Sequence, residues 1–150
     1  MNVSQYEYIA QQKAAETIES IFTARDQGQV TWATICNVGS TVCSNGMFLI
    51  GPQPLCDPGT DGIVGTSDDF VSGGCPDLAH TDSVLLPDSS GVFGLTPTRM
   101  PLTTYNFQRT ITISSVTGVP NLRRIQVTIS YRAGRWQRSY TVNAAISNFS

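Results

Sequence analysis

The sequence predicts an α+β domain: an N-terminal amphipathic helix packed on a C-terminal antiparallel β-sheet, with a long disulfide-braced loop region between them. Helical periodicity is confined to the first 28 residues, period-two alternation to residues 102–150, and all four cysteines fall in the Gly-, Pro-, Asp- and Ser-rich stretch between. A chain of 150 residues suits one domain with its own core. We therefore divide it into a helix over 1–28, a loop region over 29–101 and a sheet over 102–150.

Within the first segment Tyr6, Ile9, Ala10, Ala14, Ile18, Ile21 and Phe22 recur at helical spacing and form one apolar stripe. Ser4 and Glu7 match the S-x-x-E capping box, which places the helix start near Ser4, and Gly28 is the expected stop. From Val30 to Leu55 the pattern is that of a connector with a small hairpin. Asn45-Gly46 is the dipeptide favoured at a type I′ turn, and Met47, Phe48, Leu49 and Ile50 follow it. Between Cys56 and about Pro101 there is little regular periodicity, so the backbone there needs disulfides, side chains or an ion to hold one shape.

Three alternating segments then predict an antiparallel meander. Phe107, Ile111 and Ile113 share a face in the first, Ile125, Val127, Ile129 and Tyr131 in the second, and Trp136, Tyr140, Val142 and Ile146 in the third. Gly118-Val119-Pro120-Asn121 and Ala133-Gly134 supply the connections. The apolar face must be covered, and the N-terminal helix is the one long amphipathic element available. Gln108, Thr110, Thr112, Arg124, Gln126, Thr128, Ser130, Arg132 and Thr141 are left on the opposite face, which suits solvent or a polar partner.

Cys36, Cys43, Cys56 and Cys75 contain no C-x-x-C pair, which argues against a structural zinc site and for two disulfides in an oxidising compartment. Four cysteines allow three connectivities. We expect Cys36–Cys43 and Cys56–Cys75, because each bond then braces an irregular segment. The chain carries no secretory signal and no run of about 18 apolar residues. The native N-terminus is accordingly expected upstream of Met1.

The segment from Asp57 to Asp69 resembles a calcium loop of the EF-hand type in ligand order. With Asp57 at position 1, Asp61 falls at 5, Gly62 at the sharp-turn position 6, the Ile63 carbonyl at 7 and Asp68 at 12, with Asp69 adjacent. Position 3 is Gly59 and position 12 is Asp rather than Glu, and no flanking helix is evident. Calcium is expected here because several carboxylates on one turn repel one another until a hard cation neutralises them.

Charge divides along the chain. The aspartates from Asp26 to Asp88 have no Lys or Arg among them, whereas after Asp88 seven arginines follow and no acid. Arg123, Arg124, Arg132 and Arg135 are the candidate surface for a polyanion or another partner. Nucleic acid is disfavoured by the net charge of -2 and because Phe107, Tyr131, Trp136 and Tyr140 are expected mainly in the core. Enzymatic chemistry finds little purchase: His80 is the one histidine, no nucleophile-elbow or phosphate-binding motif is present, and Asp68-Asp69 suits ions better than acid–base work.

The helix with Ala14-Ala15-Glu16-Thr17-Ile18-Glu19-Ser20-Ile21-Phe22, the disulfide-braced middle, and the strands Arg109–Ile113, Leu122–Ile129 and Arg138–Val142 closing on Ala145–Phe149 together resemble the globular region of type IV pilins and type II secretion pseudopilins, particularly minor subunits. The likeness covers the first 28 residues and roughly the last 50. Family members begin with a short leader ending in glycine, then Phe and a hydrophobic helix with Glu at its fifth position, and none of that is in this sequence. The resemblance implies an exported, non-enzymatic filament subunit. A hydrophobic half-helix would anchor it in the inner membrane before assembly, and its partners would be other subunits and the inner-membrane assembly machinery, with no small-molecule substrate. The alternatives are a secreted calcium-dependent adhesin or binding module and, behind it, a DNA-binding minor pilin or a periplasmic enzyme.

Overall fold

The computed structural model describes residues 3–56, 64–66, 75, 83–86, 98–101, 106–133 and 135–148. Helix α1 runs over Val3–Asp26. Strands β1 (Gln53–Pro54), β4 (Gln108–Val116), β5 (Val119–Ala133) and β6 (Trp136–Ser147) form an antiparallel sheet in the order β1-β4-β5-β6. Strands β2 (Ser83–Leu86) and β3 (Thr98–Pro101) pair separately as a two-stranded sheet. The α+β expectation is met by a helix lying across an antiparallel sheet, chiefly over β5 and β6.

The described helix starts at Val3, one residue from the start expected near Ser4. Its C-terminus follows the sequence closely. Gly28 adopts φ +77°, its N–H donates to the Arg25 carbonyl (3.0 Å), and the Gln29 N–H donates to the Ala24 carbonyl (2.8 Å). This is a Schellman closure, and the left-handed residue it requires is a glycine because a Cβ would be strained there.

The buried stripe of α1 comprises Tyr6, Ile9, Ala10, Lys13, Ala14, Thr17, Ile21 and Ala24, while Ile18 and Phe22 are only partly buried at its margin. Lys13 and Thr17 occupy the stripe at i+3 and i+4 spacing despite their polarity. The Thr17 hydroxyl donates to the Lys13 carbonyl (2.8 Å), and the Lys13 ammonium reaches Glu16 (3.1 Å), so each polar group is satisfied locally. Facing the stripe are Ile125, Val127, Ile129 and Tyr131 of β5, Phe107, Ile111 and Ile113 on and beside β4, and Ile146 of β6. At the N-terminal end of α1 the rings of Tyr6, Phe107 and Tyr131 stack with centroids 5.5 to 5.9 Å apart.

Register explains which side chains go inward. Ile111 lies opposite Val127, Ile113 opposite Ile125, Val127 opposite Val142 and Ile129 opposite Tyr140, so the alternating sets meet on one face. The connection between β4 and β5 is tighter than expected. Thr117-Gly118 alone makes the turn, and Val119, Pro120 and Asn121 already belong to β5.

The segment after the helix departs most from its sequence reading. Asn45-Gly46 is not a type I′ turn, since neither residue has positive φ. Gly46 is required for another reason: a Cβ there would collide with the Asn37 backbone carbonyl. The chain from Cys36 to Phe48 is folded back on itself, with the Met47 and Phe48 N–H groups donating to the Cys36 carbonyl and the Val38 N–H to the Phe48 carbonyl. Both disulfides, Cys36–Cys43 and Cys56–Cys75, have the expected pairing and leave no free cysteine.

Because Ile129 is fully buried beneath the helix and Phe22 is not, Ile129→Ala should destabilise by about 2–5 kcal/mol and Phe22→Ala by clearly less. Chemical denaturation of both variants measures the difference, and equal midpoints would contradict the packing.

Candidate functional site

The four arginines expected to share a surface do not do so. Residues of β5 alternate between two faces, so Arg123 falls on the helix side with Ile125, whereas Arg124 and Arg132 fall on the opposite side. Arg123 is 6 % exposed, and its guanidinium stacks 3.9 Å over the Trp32 ring. It donates to the Trp32 carbonyl at 2.6 Å, the Ile35 carbonyl at 3.0 Å and the Val42 carbonyl at 3.2 Å. Burial pulls its pKa below the ordinary arginine value. The charge is held by carbonyl dipoles and a π face, and no carboxylate accepts from it among the described residues. Arg123 is therefore withdrawn from the polyanion surface and organises the loop after α1.

A second buried polar group completes this region. Asn37, 3 % exposed, donates from Nδ2 to the Ile111 carbonyl (2.8 Å) and the Phe48 carbonyl (3.3 Å), while its Oδ1 accepts from the Ile113 N–H (2.8 Å). One side chain thus satisfies the outer edge of β4 as a neighbouring strand would, next to the Ile50 carbonyl, which accepts from the Ile111 N–H, and next to β1. The sequence held no signal for Asn37 beyond its place beside Cys36.

The outer face of the sheet presents Thr110, Thr112, Arg124, Gln126, Thr128, Ser130, Arg132, Ser139, Thr141 and Asn143, half-buried or exposed. Thr128 and Thr141 are directly opposite, with hydroxyls 2.9 Å apart. No carboxylate is contributed by any of these strands, since no Asp or Glu follows Asp88. Arg124 and Arg132 are eight residues apart on β5, roughly 26 Å along the strand, so this face is polar with separated charges rather than a dense basic patch.

Positive charge concentrates instead at the β5–β6 hairpin end. Arg132 is exposed on the outer face, Arg135 is exposed in the turn, and Arg138 is exposed opposite Tyr131. Beside them Trp136 is 71 % exposed. Its parity matches that of Tyr140 and Val142, which led to its expected place in the core. Among the described side chains Tyr131 is the last buried one on this face of β5, and Trp136 lies beyond it. Burial raises the Tyr131 pKa, with Glu7 adding to that shift and Arg138 opposing it.

Asp57, Asp61, Ile63, Asp68 and Asp69, the expected calcium ligands, lie outside the described residues. Of that span residues 64–66 are described: the Gly65 carbonyl accepts from the Leu49 N–H (2.8 Å), and Thr66 bridges to Phe48. The Cys56–Cys75 disulfide closes the base of the segment. A concavity of about 190 Å³ lies between the end of α1, Trp32 and Ser147, below the usual size of a ligand pocket. Among the described residues no helix is long and apolar enough to cross a membrane. Comparison with family models, curated proteins and solved structures finds no match to this chain.

Arg123→Lys should cost about 1.5–3 kcal/mol, because an ammonium can neither stack on Trp32 nor span three carbonyls. The exposed neighbour serves as control. Arg124→Lys should stay within about 0.5 kcal/mol of the parent, and similar losses in both variants by thermal or urea denaturation would contradict the assigned difference.

Proposed function

We propose that this chain is the head domain of a non-enzymatic structural subunit of a type IV pilus or pseudopilus-like filament. One observation carries the reading. An N-terminal helix packs its buried stripe across the antiparallel β4-β5-β6 meander, and a disulfide-braced segment joins the two. Two disulfides fit an oxidising, exported compartment. In such a subunit the helix serves both as the spine on which the sheet is built and as the element packed by neighbouring subunits, so the head needs no reactive centre. Its partners are other subunits and the inner-membrane assembly machinery.

The acid-free polar face of the sheet supports a second reading, a secreted binding module or adhesin, because such a face can hydrogen-bond a polar ligand without carboxylate repulsion. The coding sequence upstream of Met1 separates the two. A short leader ending in glycine, followed by about 20 apolar residues, is the expected finding, and a conventional cleaved signal would favour the binding module.

Calcium bound between Asp57 and Asp69 is part of the proposal, as a structural ion. Added calcium should raise the melting temperature of metal-free protein and release heat on titration, and Asp61→Ala should abolish both effects. A flat titration with an unchanged melting temperature would leave the loop without an ion.

A further inference from the structure

We infer that the β5–β6 hairpin tip is a docking site for the surface of an anionic lipid bilayer. Arg132 stands on one face of the ribbon, Arg138 on the other, and Arg135 in the turn between them, all exposed. The pairs Tyr131–Arg138, Arg132–Gln137 and Ala133–Trp136 are consecutive, so the three guanidinium-bearing positions fall within about 7 Å of the tip along the strands. Among the described residues none of the three forms an ion pair, and Arg25–Asp26 and Lys13–Glu16 are ion pairs elsewhere on the chain. Among the described residues Glu7 of α1, near Tyr131, is the carboxylate placed at this end, against three arginines.

The indole decides the class of partner. Trp136 is 71 % exposed at the same tip. An exposed tryptophan beside basic residues settles at the headgroup layer, where the ring replaces interfacial water and arginines meet phosphate. A single-stranded nucleic acid would need successive stacking platforms along a basic track. Here the next aromatics along the strands are Tyr131, which is buried, and Tyr140, which is partly buried, and the next arginine on the outer face is Arg124, eight residues away from Arg132. A compact tip fits a surface better than a strand. The placement of these residues carries the inference whether or not the chain belongs to a filament.

The test is co-flotation of the protein with neutral phosphatidylcholine vesicles and with vesicles in which phosphatidylglycerol replaces part of that lipid, at low and high salt. The protein should partition to the anionic vesicles alone and release on adding salt. Its tryptophan emission should shift to the blue on binding, and Trp136→Phe should remove that shift. Replacing Arg132, Arg135 and Arg138 together by Ser should weaken partitioning on the order of a hundredfold, whereas Arg124→Ser should leave it unchanged. All these side chains are exposed; should the triple variant nevertheless fail to fold, the parent's lipid and salt dependence and its Trp136 emission still decide. Absence of the parent from anionic vesicles, equal partitioning to neutral ones, retention by a folded triple variant, or tighter binding of a single-stranded oligonucleotide would each overturn the assignment.

Discussion

A buried guanidinium that no carboxylate meets among the described residues governs how this chain closes. Arg123 sits on the central strand of the sheet, on the face covered by the helix, and binds three carbonyls of the segment that follows that helix. Each carbonyl would otherwise need a partner when the segment packs down, and the charge would otherwise be stranded. Satisfying both demands at once fixes the path from Trp32 to Val42, and the Cys36–Cys43 disulfide ties the middle of that path to the residue just after it. Asn37 then reaches β4, so a stretch with little regular secondary structure serves as the lateral boundary of the sheet.

This arrangement separates the structural surfaces from those open to partners. The helix face of β5 is consumed by Ile125, Val127, Ile129 and Tyr131, and the outer edge of β4 is consumed by β1, Ile50 and Asn37. Among the described residues the acid-free polar face, the hairpin tip and the outer side of α1 stay accessible. A filament head and a secreted binding module both have a use for such surfaces, because neither requires a nucleophile or a proton relay. They differ in what precedes the domain, and the helix–sheet packing is compatible with either.

Arginine shows why sequence patterning alone misassigned part of the surface. Arg123 and Arg124 are neighbours of the same type, yet strand pleating sends one into the core and the other to solvent. The alternation of Ile125, Val127 and Ile129 already implied that odd positions face inward. Extending that parity to Arg123 would have placed it beneath the helix, but a lone charge there has no precedent in the pattern until the Trp32 ring and three carbonyls are brought to it. Trp136 fails in the opposite sense. Its parity is inward, but burial also requires an element above it, and among the described side chains the cover reaches as far as the stacked rings of Tyr6, Phe107 and Tyr131.

The sequence by itself determined the α+β class, the long helix and its Gly28 stop, and the three-stranded meander with most of its inward residues, while the structure selected one of the three cysteine pairings that the sequence left open. The class, the helix and the meander follow from local rules: period 3.6, period 2, left-handed glycine and short loop closure. Only the tertiary structure decided that Lys13 and Thr17 complete the helix stripe, that Gly46 serves a close backbone approach rather than a hairpin turn, and that Asn37 stands in for a strand. Those outcomes depend on groups far apart in the chain, Asn37 with Ile113 and Arg123 with Trp32, and a polar side chain gives no periodic sign of the distant carbonyl or N–H it will satisfy.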